Sequence, residues 1–181
     1  IIDTTKMIKI GLTYSSDRYD EALLLLRPAA PMIDNKHFAR TDKFIGAYSE
    51  LTVEHNPRLS SIFGYRADYS RAFGFLHTPR INVRYKPTDN TAIRVSAGRA
   101  YRQANPISEN MSYLFSSRNL VLEDYNSLKP EEAINYGANI NHNFYIAGKE
   151  TSFNIDIYQT DFQNQVVVDI EQTQKLSIYN L

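Results

Sequence analysis

The side chains best suited to recognition chemistry in this sequence are arginines. Arg66, Arg80, Arg84, Arg94 and Arg102 all stand at even positions, with Asp68 two residues after Arg66, and a series Asn135, Asn139, Asn141, Asn143 follows at odd positions. A planar guanidinium fork matches the two oxygens of a carboxylate or phosphate. Two readings follow for Arg66, Arg84, Arg94 and Arg102: they pair with carboxylates such as Glu50, Asp68 and Asp156 or with a plugging segment, or a subset of them holds an anionic substrate. Covalent chemistry has no comparable candidates. His37, His55, His77 and His142 lack HExxH spacing, and no serine lies in a G-x-S-x-G context. No glycine-rich loop fits a phosphate cradle. Without cysteine there is no disulfide, thiolate metal site or cysteine nucleophile. The adjacent carboxylates Glu123-Asp124 and Glu131-Glu132 would face opposite sides of a strand. Neither an enzyme nor a metal or other cofactor is expected.

Composition narrows the class further. The 181 residues carry 20 Lys+Arg and 20 Asp+Glu, a zero net charge that excludes a generally basic nucleic-acid binder. The mean hydropathy of -0.42 and the absence of an apolar run near the roughly 20 residues of a membrane helix exclude that kind of span. The longest aliphatic stretch, Leu23–Leu26, is closed by Arg27 and Pro28. By hydropathy alone the chain reads as a soluble domain. It starts at Ile1 with no signal-peptide pattern, which reads as a processed product or a piece of a longer protein. Thirteen tyrosines and no tryptophan suit surfaces apolar at one end and wet at the other.

The elements that must position the arginines are strands, because the dominant pattern has period two. Over 59–69 the odd positions carry Leu59, Ser61, Phe63, Tyr65, Ala67 and Tyr69, and the even ones Ser60, Ile62, Gly64, Arg66 and Asp68, so that one face is largely apolar and the other largely small or charged. Ile81, Val83 and Tyr85 oppose Arg80, Asn82 and Arg84, and Ile93, Val95, Ala97 and Tyr101 oppose Arg94, Ser96, Gly98 and Arg102. Ile134, Tyr136, Ala138, Ile140 and Phe144 oppose Asn135, Gly137, Asn139, Asn141 and Asn143, and Phe153, Ile155 and Ile157 oppose Asn154 and Asp156. About eight strands are expected, near 7–14, 43–54, 58–69, 79–86, 91–102, 131–144, 151–170 and 176–181.

Connections alternate in length. Short turns rich in Asn, Pro, Asp and Gly lie at 55–58, 87–90 and 147–149, and long loops at 15–42, 70–78 and 103–129. Within the loops, Tyr19–Leu26 reads as helical or irregular, and Pro106–Ser117 as a short helix with Ser108 as its cap. Short turns on one side and long loops on the other are the arrangement of an outer-membrane barrel, as are strands of about 10 residues. The expected class is therefore an all-β antiparallel transmembrane barrel. Its lumen would hold Arg66, Asp68, Arg84, Arg94, Asn135, Asn139, Asn141 and Asp156, and the inward glycines Gly46, Gly64, Gly98 and Gly137 would leave room for something packed inside. Tyr69, Tyr85 and Tyr101 would form an interfacial girdle, and Arg99, on the apolar parity, would reach the headgroups. A soluble β-sandwich binding module also fits alternation alone, and a self-contained eight-stranded barrel (adhesin, small pore or membrane enzyme) fits the length.

Several stretches resemble one family. Gly64-Tyr-Arg66-Ala-Asp68 is similar to the G-x-R-x-D strand motif of TonB-dependent outer-membrane receptors. Pro79-Arg80-Ile-Asn-Val-Arg84-Tyr85-Lys-Pro87 resembles their "sPrlnlrYkP" hairpin, and the run from Ala92 to Pro106, with Arg94, Gly98, Arg102 and Asn105, their strand-to-loop stretch "lR-s-G-gyR-pN". Leu128-Lys-Pro130-Glu131 through Asn135-Tyr136-Gly137 is similar to "LkPE-x-x-NyE-G", with Gly137 where many members have Glu. Asp161-Phe-Gln-Asn164-Gln-Val166-Val167 and Tyr179-Asn180-Leu181 resemble the later "df-N-iv … yNl" elements. The likeness covers about residues 42–181; the first 41 match only as a strand and a variable loop.

The resemblance implies a middle-to-late arc of a barrel of about 22 strands whose lumen is plugged, with the plug domain, the TonB-contacting box and the closing strand outside this chain. It also implies active import of a scarce ligand (a metal chelate, a corrinoid or a glycan) with energy supplied through TonB and no covalent chemistry. The implied partners are outer-membrane lipid, the plug of the same polypeptide, the TonB complex and a surface lipoprotein, and not nucleic acid. Ligand contact is expected from Arg102 at the barrel mouth and from Asn105, Tyr113 and Phe115 in the loop that follows.

Overall fold

Period-two alternation builds one large sheet. A computed structural model describes residues 5–26, 33–114, 119–122, 128–171 and 175–181. In chain order the elements are β1 (Thr5–Leu26), β2 (Ile33–Asn56), β3 (Leu59–Ser70), β4 (Gly74–Thr88), β5 (Thr91–Arg102), α1 (Pro106–Glu109), α2 (Met111–Leu114), β6 (Asn119–Leu122), β7 (Glu131–Ile146), β8 (Lys149–Gln163), β9 (Val166–Asp169) and β10 (Lys175–Asn180). Seven strands form an antiparallel sheet in the order β1-β2-β3-β4-β5-β7-β8, and β6-β10-β9 form a second, three-stranded sheet. The large sheet is open, with β1 and β8 at its edges, so these strands are an arc and not a self-closed eight-stranded barrel. The large sheet's apolar face is left exposed, with Ile8, Ile10, Leu12 and Ile157 uncovered, so no facing layer of a sandwich covers it.

The register sorts the faces. Lys9, Glu50, Gly64, Arg80, Gly98, Asn135 and Thr160 lie in one cross-strand row, and Ile10, Ser49, Tyr65 and Pro79 in the next. Every arginine and asparagine expected in the lumen therefore shares the polar face. The opposite face is a band of exposed apolar side chains, among them Ile10 at 78 %, Leu12 at 85 % and Ile157 at 70 %. Few hydrophobic residues are buried, and Ala104, Ile107, Leu128 and Ile178 of that set belong to the loop-side segments. A wall between two media needs no central core of its own; its apolar face is matched to lipid.

Four expected boundaries shift. The loop expected at 15–42 is mostly hairpin, for β1 and β2 stay paired from Thr5↔Glu54 to Leu26↔Ile33. Their 22 and 24 residues are about twice what crosses a bilayer. Beyond the apolar band both faces are wet, so alternation vanishes although the ladder continues, and Tyr19–Leu26 is strand and not helix. The loop expected at 70–78 shrinks to the turn 71–73, and Gly74, with φ +72, starts β4 in the left-handed region glycine tolerates. The strand expected at 151–170 breaks at Asn164, with φ 53, a conformation asparagine adopts more readily than most residues. After the break the rest of that segment is β9, and the eighth wall strand expected at 176–181 is instead β10, which pairs with β9 and runs parallel to β6. Asn180 ties this small sheet to the wall: its Nδ2 donates to the carbonyls of Lys129 (3.1 Å) and Asn164 (2.6 Å), and its Oδ1 accepts the Lys129 N–H at 2.8 Å.

The space beside the inward glycines is taken by neighbouring strands rather than left for a guest. A Cβ on Gly64 would lie 2.5 Å from Arg80 Nε, and one on Gly46 would collide with the Asp68 carboxylate. At the turn end, Ala147 (φ 50) and Gly148 (φ 77) close the β7–β8 hairpin as a two-residue turn, both residues on the positive side that such turns require.

Candidate functional site

Residues two apart on a strand share a face, so Arg-x-Asp sets a guanidinium beside a carboxylate. This happens twice. Arg66 Nε donates to Asp68 Oδ2 at 2.6 Å and its Nη2 to Asp68 Oδ1 at 2.8 Å, with a further bond to Thr13 Oγ1 at 3.2 Å. Arg40 Nε donates to Asp42 Oδ2 at 2.9 Å in a pair whose side chains are only 9 % and 5 % exposed. Arg40 also donates to the Ala104 carbonyl (3.2 Å) and to Asn105 Oδ1 (2.7 Å), and its guanidinium lies 4.7 Å from the Tyr19 ring centre. Burial raises the Asp42 carboxyl above its ordinary pKa, against the lowering pull of Arg40.

A second cluster fixes the loop to the wall. Arg102 Nε donates to Glu131 Oε2 at 2.7 Å, and its Nη1 and Nη2 donate to the two oxygens of Glu109 on α1 at 3.2 and 3.1 Å. Glu131 Oε1 accepts the Val166 N–H at 2.9 Å, and Glu109 Oε1 the Asn105 N–H at 3.2 Å. Asn105 is the N-cap of α1 but spends its side chain on Arg40; Ser108, the expected cap, lies within the helix and donates to the Asn105 carbonyl at 3.4 Å.

Of the four residues expected to touch ligand, Arg102 and Asn105 are thus committed to partners within the chain. Tyr113, on α2, is 45 % exposed, and Phe115 lies outside the described residues. Sequence reasoning missed Arg40 and Glu109. Arg40-Thr-Asp42 repeats the spacing of Arg66-Ala-Asp68 and was legible; Glu109 was not, because a helix brings it back to Arg102.

The rest of the polar face is a set of cross-strand links. Arg80 Nη2 donates to Glu50 Oε2 at 2.6 Å across Gly64, and Lys9 reaches Glu50 Oε1 at 3.4 Å. Arg94 Nη1 donates to Asn139 Oδ1 (3.0 Å), whose Nδ2 donates to Asn154 Oδ1 and Asp156 Oδ1, both at 2.7 Å. Asn135 donates to Thr160 at 2.6 Å, and Asn141 stands opposite Asn154 in register. Arg84 lies directly opposite Arg94.

At the loop end the β4–β5 ladder stops at Arg80↔Gly98, one residue short of Pro79, which has no N–H to donate. Above that point β4 continues only on β3 and β5 only on β7. A concavity of about 670 Å³ opens there, lined by Tyr48, Arg66, Asp68, Arg80 and Arg102 among others. On the apolar face Arg99 does not extend freely toward headgroups: its Nε lies 2.5 Å from Glu132 Oε1, off the hydrogen-bonding line, and its guanidinium 4.8 Å from the Tyr101 ring centre. Each histidine ring hydrogen-bonds to a side chain: His37 to Asp20, His55 to Ser61, His77 to Tyr65 and His142 to Thr91.

The family model for the TonB dependent receptor-like β-barrel matches residues 3–180. A double mutant of the ferric enterobactin receptor PfeA from Pseudomonas aeruginosa superposes with a TM-score of 0.72 at 16% identity, covering 99% of this chain and 29% of that one. The siderophore receptor PirA from Acinetobacter baumannii gives 0.67 at 14% identity, covering 97% and 30%. PirA from Pseudomonas aeruginosa gives 0.62 at 17%, covering 97% and 34%. At these identities the likeness is one of fold, and the chain spans about a third of the length of such receptors or less. No curated protein matches it. The chain belongs to the TonB-dependent receptor family and forms part of the wall of its outer-membrane β-barrel.

Proposed function

We propose that this wall belongs to a receptor that imports a ferric siderophore across the outer membrane with energy delivered through TonB. The observation that carries the reading is the family match over nearly the whole chain, joined by a fold shared with ferric enterobactin and siderophore receptors. Those neighbours favour a metal chelate over a corrinoid or a glycan. The partners in this reading are outer-membrane lipid, a plug in the lumen and the TonB complex, and the protein transports without covalent chemistry.

The test is uptake of radioactive iron by Gram-negative cells whose own siderophore receptors are deleted and which express the full-length receptor. Ferric enterobactin and a panel of ferric hydroxamate and citrate chelates serve as probes, with cyanocobalamin and a maltodextrin as competitors for the assignment. Iron accumulation that disappears in a TonB-deficient strain is the expected result. Uptake of cyanocobalamin or maltodextrin alone would overturn the ligand class, and uptake indifferent to TonB would overturn the energy source.

A further inference from the structure

The seam between β4 and β5 parts at the level where the apolar band ends. Continued register beyond Arg80↔Gly98 would set Thr78 against Ala100 and His77 against Tyr101. Among the described residues, β4 instead stays paired only with β3, as far as Ser70↔Gly74, and β5 only with β7, as far as Arg102↔Glu131. Two open strand edges therefore border the concavity of about 670 Å³, a size ordinary for a small-molecule site. Its lining comes from both faces of the sheet. Tyr65, Arg99 and Tyr101 have the parity of the lipid face, and Arg66, Thr78 and Arg102 that of the lumen. Aromatic rings stand on both banks, as in an interfacial girdle. On the β4 side the exposed Phe75 ring lies 5.0 Å from Tyr69 and 6.1 Å from His77, whose Nδ1 is 2.7 Å from the Tyr65 hydroxyl. On the β5 side Tyr101 lies beneath the Arg99 guanidinium.

An open sheet edge does not persist against hydrocarbon, where its N–H and C=O groups find no partner, but it does persist where it lines water or polar groups. Here such edges border an opening that is aromatic toward lipid and charged toward the lumen. We propose that the seam is a side portal for an amphiphilic ligand: the iron-chelating head sits in the lumen, and an acyl chain passes between β4 and β5 into the outer leaflet. The inference rests on the transport reading above and narrows its substrate class to acylated ferric chelates. Arg66, Arg80 and Arg102 are bound to Asp68, Glu50 and Glu131, so the inner side presents matched ion pairs and not free cations. What sets this opening apart from an anion pocket is its apolar exit. A wholly polar chelate gains nothing from that exit, whereas every methylene that reaches lipid instead of a wet lumen favours binding.

Two measurements on the full-length receptor in outer membranes test the portal. In the first, Thr78→Cys with Ala100→Cys is bridged across the seam by reducible bis-methanethiosulfonates of graded length, and heat-resistant mobility on gels verifies the folded barrel. Uptake of radioactive iron is compared for two ferric hydroxamates with one head, with and without a lauroyl tail. The ratio of acylated to unacylated uptake should fall several-fold on bridging and recover when the bridge is reduced. An unchanged ratio would overturn the portal, as would cysteines at 78 and 100 shielded from the reagent before ligand is added, the result expected if a strand of the receptor fills the seam. In the second, the acylated chelate carries a diazirine at the end of its tail and is photolysed on cells lacking TonB, where binding occurs without transport. Label should fall on both banks, at Phe75 or His77 and at Tyr101, and excess unlabelled acylated chelate should displace it. Label spread over the whole apolar face, or confined to the loops or the lumen, would contradict the proposal. Seam labelling in a receptor that imports iron from neither chelate strikes the transport reading alone. TonB-dependent uptake at a ratio indifferent to bridging strikes the portal alone.

Discussion

The two ends of the polar face treat charge differently. At the loop end Arg40, Arg66 and Arg102 each bind a carboxylate of the same chain, and midway down the face Arg80 binds Glu50. At the turn end Arg84 and Arg94 face each other across the β4–β5 ladder. Charges matched within the wall hold the wall's own shape. The loop end is thus the part of this arc whose charges fix its own geometry, whereas at the turn end, among the described residues, Arg94 is held only through Asn139 and faces Arg84.

Substitutions that remove loop-end charges should break this contrast most strongly at the buried pair. Arg40→Ala leaves the Asp42 carboxylate buried without a partner and also frees the Ala104 carbonyl and Asn105; a loss of about 3–5 kcal/mol is expected, read as the urea midpoint of the refolded receptor. A change below 1 kcal/mol would show that this end is not self-supporting. Arg102→Ala strips two carboxylates, but its side chain is 61 % exposed, so about 1–3 kcal/mol is expected. Because Arg102 and Glu131 act as a unit, Arg102→Ala with Glu131→Ala should cost clearly less than the sum of the single changes, a comparison a double-mutant cycle makes directly.

The smaller effects sharpen the comparison. Gly64→Ala places a methyl 2.5 Å from Arg80 Nε and should displace Arg80 from Glu50, with loss of the bond visible in a structure of the variant. Arg66→Ala removes a half-exposed pair, 44 % and 13 %, and roughly 0.2–1 kcal/mol is expected, shrinking as salt is raised in the same unfolding assay.

Within the apolar band the wall was legible, because lipid on one side and water on the other force a period of two. The Asn135-to-Asn143 series and the Arg66 and Asp68 pair fell on their face from parity alone. Outside the band the signal fails for a physical reason: Ser15-Ser16-Asp17-Arg18 is a polar run on both faces of a strand that is still paired, so the loop-side halves of β1 and β2 read as loop. That misreading hid Arg40 and Asp42. Arg102 presents the opposite case. Its position at the end of β5 was visible, but its role was not, since Glu109 returns to it only through the turn into α1, and a guanidinium at the mouth of a barrel looks free until its partners are placed.

Everything rests on which face of the sheet meets lipid. Single cysteines at positions 135 to 140 on β7 of the full-length receptor, each carrying a small fluorophore and reconstituted with brominated lipids, report this residue by residue. Strong quenching is expected at Tyr136, Ala138 and Ile140 and little at Asn135, Gly137 and Asn139. Equal quenching along the strand, or quenching on the asparagine parity, would contradict a membrane wall with a polar lumen.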